Sequence, residues 1–175
     1  GRTLSGGDAG VASTGTGATT INNSGTITGT VIAIRSDTSA TFVNNLAGGT
    51  ISGTITLSGL SDTVTNAGAI AGALNLGGGD DLYDGRSGSI SGTVSGGAGN
   101  DIFIGGAGAD VFNGGADLDT ASYIGAGSSV TVSLAIAGAQ NTNGAGSETV
   151  SNIENLTGSA FNDTLIGSGS SNILV

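Results

Sequence analysis

This chain of 175 residues is predicted to be all-β, a right-handed parallel β-helix or β-roll solenoid. Three observations predict that fold class. Glycine-rich nonapeptides follow one another in the middle of the chain, a longer repeat precedes them, and aspartates recur with the period of both. Each repeat of this kind is one supersecondary unit that buries a core only by stacking on its neighbours. We therefore expect stacked coils around a thin, continuous core.

The upstream half is predicted to form coils of about 20 residues. Four segments share an Asn or Asp, then a Gly, then an apolar residue with Gly two positions further on: 21–31, 43–55, 64–74 and 83–94. Their apolar markers, separated by 24, 19 and 20 residues, are Ile27, Ile51, Ile70 and Ile90. Apolar and small polar residues alternate, which predicts half-buried strands, and Gly or Asn marks the turns. We expect β-helix coils over 1–93.

The nonapeptides have the form Gly-Gly-x-Gly-x-Asp-x-U-x, where U is apolar, and read GGAGNDIFI (96–104), GGAGADVFN (105–113) and GGADLDTAS (114–122). This form is typical of parallel β-helices that bind calcium. Glycine reaches the positive φ angles that aim backbone carbonyls inward, aspartate adds a hard anionic oxygen, and U begins a buried strand. Residues 94–122 are therefore predicted to be calcium-binding β-roll repeats.

The aspartates follow the period of the coils. Asp62, Asp81, Asp101 and Asp119 are separated by 19, 20 and 18 residues, so stacking places them along one edge. Asp110, nine residues from both Asp101 and Asp119, falls on the opposite edge. Coils lie ~4.8 Å apart, and a Ca²⁺ ion with oxygen distances of about 2.3–2.6 Å fits between two such carboxylates. The alternative is that these side chains cap turns by accepting backbone N–H groups, above all at Asp37 and Asp62, which lack flanking glycines.

These residues resemble the repeats-in-toxin (RTX) family, the hemolysin-type calcium-binding proteins of bacteria. The resemblance covers 76–122 and 148–175, where GSAFNDTLI (158–166) and GSGSSNILV (167–175) keep the nine-residue frame. It implies a parallel β-roll, export from a bacterium and folding driven by extracellular calcium. It also implies ligands at the motif positions, which are here Gly77, Gly79, Asp81, Gly97, Gly99, Asp101, Gly106, Gly108, Asp110, Gly115, Asp117, Asp119 and Asp163.

Several positions depart from the family's pattern. Asp117 replaces a glycine of the third nonapeptide, and either alters that turn or supplies a side-chain ligand. Leu76 replaces the first glycine of 76–84, while Glu154 and Asn172 occupy acidic slots with few glycines around them. Residues 123–147 interrupt the repeat with a predicted strand at 130–136 and a predicted exposed loop at 140–148. We expect 148–175 to be degenerate β-roll coils that continue in a parent protein.

Composition excludes several classes of site. Glycine accounts for 36 residues, the net charge is −10, and Pro, Cys, Met, His and Trp are absent. The three basic residues are Arg2, Arg35 and Arg86, so a basic patch for nucleic acid is excluded. Without His or Cys, zinc and haem sites are excluded as well. The longest apolar run, 130–139, is too short to span a membrane as a helix.

The predicted function is a non-enzymatic structural module of a secreted or cell-surface bacterial protein, with Ca²⁺ as its cofactor and an adhesin, surface-layer or spacer role. End-to-end or lateral association of copies is expected to be open to it, because uncapped solenoid ends expose strand edges. One alternative is a β-helix polysaccharide lyase, for which Arg86 is the one candidate base, or the noncatalytic calcium-binding tail or β-helix domain of such a secreted enzyme. Another is a carbohydrate- or ice-binding face, made by Thr26, Thr28, Thr30, Thr54 and Thr56.

Overall fold

The computed structural model describes residues 4–5 and 9–175, with side chains from Gly10 onward. These residues form 21 strands and no helix. None of the described residues therefore belongs to a helix long and apolar enough to cross a membrane. Nearly all strand pairs are parallel, and partners come from successive repeats, as expected for a solenoid.

Two long parallel sheets form the walls of the solenoid. The strands of the first sheet are β1 (Leu4–Ser5), β2 (Ala9–Ser13), β4 (Thr26–Ser36), β6 (Thr50–Thr56), β8 (Ala69–Ala71), β9 (Leu74–Gly78), β11 (Ser89–Ile90), β12 (Val94–Ala98), β14 (Val111–Ala116), β17 (Gln140–Asn141) and β18 (Ser147–Ser151). Those of the second sheet are β3 (Thr19–Asn23), β5 (Thr41–Asn45), β7 (Thr63–Asn66), β10 (Leu82–Asp84), β13 (Ile102–Ile104), β15 (Thr120–Ser122), β19 (Asn155–Thr157) and β21 (Ile173–Leu174). A third sheet pairs β16 (Thr131–Ser133) with β20 (Thr164–Ile166).

The chain alternates between the two walls, which defines two edges. We call the turns that lead from the first sheet to the second the first edge, and the turns that lead back the second edge. Strand β12 pairs with β9 on one side and β14 on the other, so the upstream coils pass into the nonapeptide coils in one continuous stack.

The predicted upstream period is confirmed by the strand register. Ile27 lies opposite Ile51, Ile51 opposite Ile70, and Ile70 opposite Ile90. All four side chains are buried. The longer first step has a local cause, because β4 bulges between Thr28 and Ile34, where its register against β6 shifts.

The core is a narrow column between the two walls, and the first sheet contributes up to three large side chains from one coil, as with Ile70, Leu74 and Leu76. From the second sheet, residues in mutual register fill it: Val43, Val64, Tyr83, Phe103, Ala121 and Leu156. Phe112 of the first sheet meets them across the coil, stacked on Phe103 with ring centroids 5.4 Å apart. Alternate residues of each short strand point inward, so a chain with only six aromatic residues can fill this space.

A ladder of buried amides runs along the second edge of the upstream coils. Asn23 Nδ2 donates to Asn45 Oδ1 at 2.8 Å, and Asn45 Nδ2 donates to Asn66 Oδ1 at 2.8 Å. Each of the three side chains is at most 3 % exposed. An amide carries both a donor and an acceptor, so a stack of identical amides satisfies itself from coil to coil.

The insertion at 123–147 is more ordered than its sequence predicts. The expected strand at 130–136 is present only at Thr131–Ser133, as β16, and the expected exposed loop at 140–148 is wrong. Instead β17 pairs antiparallel with β18, which begins at Ser147, and Gln140, Thr142 and Glu148 are buried. The Gln140 amide accepts from the backbone N–H of Ser133 at 2.8 Å and donates to its carbonyl at 3.0 Å. Gln140 and Thr142 can be buried there because backbone groups satisfy their hydrogen bonds, whereas neither Oε atom of Glu148 has a partner.

Candidate metal centre

A column of carboxylates runs along the first edge. Asp62, Asp81, Asp101 and Asp119 each stand directly before a strand of the second sheet, in the same register, as their spacing predicts. The backbone N–H of Asp62 donates to Asp81 Oδ1 at 2.6 Å, that of Asp81 to Asp101 Oδ1 at 2.9 Å, and that of Asp101 to Asp119 Oδ1 at 2.8 Å. One carboxylate oxygen of each residue is therefore used to hold the preceding coil.

Acidic and polar side chains extend this column at its downstream end. The N–H of Asp119 donates to Glu154 Oε2 at 3.0 Å, and Asn172 Nδ2 donates to the carbonyl of Glu154 at 2.7 Å. The column therefore passes over the insertion and continues in the last coils.

The hydrogen bonding of the second carboxylate oxygen divides the column into two kinds of aspartate. In Asp81, Asp101 and Asp119, Oδ2 is buried and has no hydrogen-bond partner. In Asp62, Oδ2 accepts from the N–H of Ser58 at 3.1 Å and from its hydroxyl at 3.2 Å. Asp62 is thus a turn cap, whereas the other three each keep a buried oxygen with free lone pairs.

Burial disfavours the ionised form of these three carboxyl groups. It raises the pKa of Asp81 to about 7, with smaller contributions from the charges of Asp101, Asp62 and Asp80. Burial also raises the pKa of Asp101 and of Asp119 to about 6. No basic side chain among the described residues compensates them, because Arg35 and Arg86 pair at the surface with Asp37 (2.8 Å) and Asp84 (2.7 Å). A cation from outside the protein would stabilise the charged forms.

The glycines of the first edge form three stacked turns of one conformation. The φ angles are 112°, 117° and 121° at Gly77, Gly97 and Gly115. Two residues further on, they are 89°, 112° and 80° at Gly79, Gly99 and Asp117. A Cβ on Gly97 would collide with the carbonyl oxygen of Gly77, and one on Gly115 with that of Gly97. The carbonyls of each turn therefore face the next coil at close range.

The first glycine of each nonapeptide leaves space next to the second carboxylate oxygen. A Cβ on Gly96 would collide with Asp101 Oδ2, and one on Gly114 with Asp119 Oδ2. The absence of a side chain at these positions leaves a cradle around the unpartnered oxygen.

Asp117 preserves the turn in which it replaces a glycine. It adopts the left-handed region itself, which aspartate does more readily than most residues. Its Oδ2 accepts from the N–H of Gly99 at 3.2 Å, so the side chain links two coils.

The second edge is built differently. Asp110 lies there, opposite the column, as its offset of nine residues predicts, and it is buried. Neither Gly106 nor Gly108 has a positive φ, so this turn does not repeat the conformation of the first edge. The N–H of Gly106 donates to Asp110 Oδ2 at 3.0 Å.

Asp163 resembles Asp62 more than Asp101. Its Oδ1 accepts from the N–H of Val130 at 2.8 Å, and its Oδ2 from the N–H of Ser159 at 2.6 Å. Asn172 likewise accepts from the N–H of Ser168 at 2.8 Å. Both side chains act as turn caps.

Sequence reasoning missed one buried acid, Glu148, which is 0 % exposed. The signal was present, because Gly144-Ala145-Gly146-Ser147-Glu148 repeats the frame of Gly106-Ala107-Gly108-Ala109-Asp110 with Glu in the acidic slot. Because the residues around Glu148 are polar, the sequence instead predicted an exposed loop at 140–148.

The donor set restricts the kind of ion. Nowhere in residues 4–5 and 9–175 do three or more His, Cys, Asp or Glu side chains converge as a metal cluster would require. An ion at the first edge must therefore combine aspartate oxygens with backbone carbonyls. Carboxylate and carbonyl oxygens suit hard cations, calcium above all, so the residues present fit that ion.

Comparison with known proteins agrees with this chemistry. The family model of the RTX calcium-binding nonapeptide repeat matches four copies at residues 91–121 and 148–175, about a third of the chain. Searches among curated proteins and among solved structures found no match. This chain is therefore a β-solenoid that carries RTX calcium-binding nonapeptide repeats over those two ranges.

Proposed function

We propose that this chain is a structural module stapled by calcium at its first edge. The observation that carries the proposal is the row of buried Oδ2 atoms at Asp81, Asp101 and Asp119, each without a hydrogen-bond partner. Between coils ~4.8 Å apart, ions would take these oxygens from successive turns. The remaining ligands would be turn carbonyls of Gly77, Gly79, Gly97, Gly99, Gly115 and Asp117.

A bound ion would supply the positive charge that this edge lacks. It would cancel the repulsion between neighbouring carboxylates and tie one turn to the next. If each site has a Kd of ~0.1 mM in a medium with ~1 mM calcium, each ion contributes ~1.4 kcal/mol to the free energy of unfolding. Since ordering a glycine-rich backbone has a high entropic cost, a few such ions decide whether these coils fold.

We propose a secreted or cell-surface setting, with the module acting as a spacer, adhesin segment or surface-layer component. Affinities of ~0.1–1 mM are those of extracellular calcium modules. A chain that uses metal as its cross-link has no need of disulfides, consistent with the absence of cysteine. At intracellular calcium levels the same chain would stay loosely folded, which suits export.

The alternatives receive less support from the described residues. Arg86, the candidate base, is held at the surface by Asp84 at 2.7 Å, as expected of an ordinary ion pair. In the threonine face, Thr26 lies opposite Thr50, but Ala69 follows in the third coil, so the array spans two coils there. A structural role within a larger polysaccharide-active enzyme would use the same calcium sites.

The test is circular dichroism of the full chain, treated with chelator and then titrated with calcium. We expect β signal to rise at roughly millimolar calcium and not with magnesium, which demands tighter octahedral geometry. A β spectrum that is already complete in chelator, with no change in thermal unfolding on adding calcium, would refute the proposal.

A further inference from the structure

Glu148 and Asp110 lie side by side in neighbouring coils of the second edge. In the register of β14 with β18, Val111 lies opposite Thr149, and the N–H of Thr149 donates to the carbonyl of Asp110 at 2.9 Å. The residues directly before this pair are Asp110 and Glu148. Their exposed fractions are 6 % and 0 %. Two carboxylates are thus buried one coil apart.

The oxygens gathered at this place lack partners. Both Oε atoms of Glu148 and the hydroxyl of Tyr123 are buried without a hydrogen bond. Tyr123 follows Ser122, which pairs with Ile104, so it stands in register with Gly105, and a Cβ on Gly105 would collide with Asp110 Oδ2. Burial, and then the charges of Glu148 and Asp110, raise the pKa of the Tyr123 hydroxyl. The neighbouring polar side chains are committed elsewhere, since the Gln140 amide bonds the backbone of Ser133 and the Thr142 hydroxyl donates to the carbonyl of Gly146.

No described basic residue is available to neutralise the pair. The chain has no Lys or His, and both Arg35 and Arg86 are paired at the surface. Arg2 lies outside the described residues. A proton on Glu148 would remove the charge, but the carbonyl oxygen of the protonated group would still lack a hydrogen-bond donor. A cation would instead neutralise the carboxylates and take oxygens that lack hydrogen bonds as ligands.

Backbone carbonyl oxygens lie close to this place and are possible further ligands for a cation. Gly146, with a φ of 96°, stacks on the turn of the preceding coil. A Cβ on Gly146 would collide with the carbonyl oxygens of Ala107 and Gly108. These carbonyls, two carboxylates and a phenol hydroxyl are all hard oxygen ligands.

We propose that Glu148 and Asp110 bind a divalent cation of the calcium class, with the Tyr123 hydroxyl beside it, and that this ion fastens the insertion to the coil stack. The site extends the calcium-dependent function proposed above, yet it uses another edge and none of the first-edge residues. Glu148 stands directly after the insertion and pairs with Gln140 of β17, whose side chain bonds the backbone of Ser133 in β16, so occupancy couples β16 and β17 to the repeats.

The experiment measures calcium stoichiometry by calorimetry and amide hydrogen exchange with and without calcium, on the full chain and on Glu148→Gln. Glutamine keeps the shape and removes the charge. We expect Glu148→Gln to bind one ion fewer and to lose calcium-dependent protection over 130–148, while 77–119 stays protected. Unchanged stoichiometry together with unchanged protection of 130–148 would overturn the proposal.

Asp101→Asn is the matched variant of the first edge and should give the reverse pattern. If Asp101→Asn leaves first-edge protection intact while Glu148→Gln removes that of the insertion, the first-edge proposal fails and this one stands.

If Glu148→Gln does not fold, Tyr123→Phe keeps the ring and removes only the hydroxyl. It should weaken the same site several-fold and lower tyrosine-sensitised emission from bound terbium, and no change in either would contradict the assignment.

Discussion

At the scale of single residues, two hydrogen bonds to the second carboxylate oxygen distinguish a structural aspartate from a candidate ligand. Asp62 and Asp101 occupy the same column and are equally buried. Ser58, four residues before Asp62, donates twice to its second oxygen, whereas the corresponding residue before Asp101 is Gly97, which has no side-chain donor. Glycine therefore does more than permit the turn, because it also leaves the carboxylate without a competing partner.

This difference predicts that asparagine substitutions at the two positions behave differently. Asp101→Asn removes a proposed ligand and a buried charge, so we expect the stabilisation gained from calcium to fall by about 1.4 kcal/mol or more. Asp62→Asn weakens a turn cap, so stability should fall by about 1 kcal/mol with the calcium increment unchanged. Urea unfolding in chelator and in calcium measures both. Equal calcium increments in the two variants would contradict the division of the column.

The stacked glycines predict a second residue-scale outcome. Gly97→Ala places a Cβ against the carbonyl of Gly77 at a φ of 117°, so we expect a loss of more than about 2 kcal/mol and weaker calcium binding. Gly59→Ala is the control in a first-edge turn of an upstream coil, since a Cβ there meets nothing within 4 Å. Thermal unfolding of both variants in calcium provides the comparison, and equal stabilities would show that the close stacking is not required.

At the scale of elements, the two edges hold the coils together by different chemistry. The upstream coils use the amide ladder of Asn23, Asn45 and Asn66, which needs no ion. The nonapeptide coils use a row of carboxylates that repel one another. The amide ladder ends at Asn66, because the residues in register with it in the next two coils are Gly85 and Gly105, which have no amide side chain. At that end Asn66 contacts the Tyr83 hydroxyl.

The amide ladder predicts a loss of stability that calcium does not restore. Asn45→Ala removes both rungs of the ladder and leaves Asn23 Nδ2 with the carbonyl of Thr50 and Asn66 Oδ1 with the N–H of Gly68, so we expect a loss of about 2–3 kcal/mol in chelator and in calcium alike. Asn44→Ala in the same strand removes only an exposed bond to Asn22 and should cost less than about 0.5 kcal/mol. Recovery of Asn45→Ala by calcium would show that ions also hold the upstream coils.

At the scale of the whole molecule, charge and burial oppose each other. The net charge is −10, and part of it lies in a buried column that the described basic residues do not reach. The folded chain without calcium therefore holds protons that the unfolded chain releases. Calcium takes the place of those protons at neutral pH.

This predicts that the stability in chelator and the stabilisation gained from calcium change with pH in opposite directions. The pKa values of Asp81, Asp101 and Asp119 are raised to about 7, 6 and 6, above the unfolded value of about 3.9. Between those limits the folded state binds more protons than the unfolded state, so in chelator stability falls as pH rises from about 4 to about 7. With saturating calcium the increment grows over the same range, because the ion binds the charged form. Urea midpoints across this range test the sign, and a midpoint in chelator that rises with pH would refute it.

The sequence by itself determined the period, the register and the first-edge column. In a solenoid, contacts fall at a constant sequence separation, so the spacing of Ile27, Ile51, Ile70 and Ile90, and of Asp81, Asp101 and Asp119, is a direct record of which side chains stack.

Only the tertiary structure decided which carboxylates have a free oxygen, how the turn at Gly106 differs from the turn at Gly97, and that Glu148 lies buried beside Asp110. Each of these depends on hydrogen bonds made across coils or through the insertion. There the period is broken, and strand pairing, which local residue patterns do not specify, sets the register.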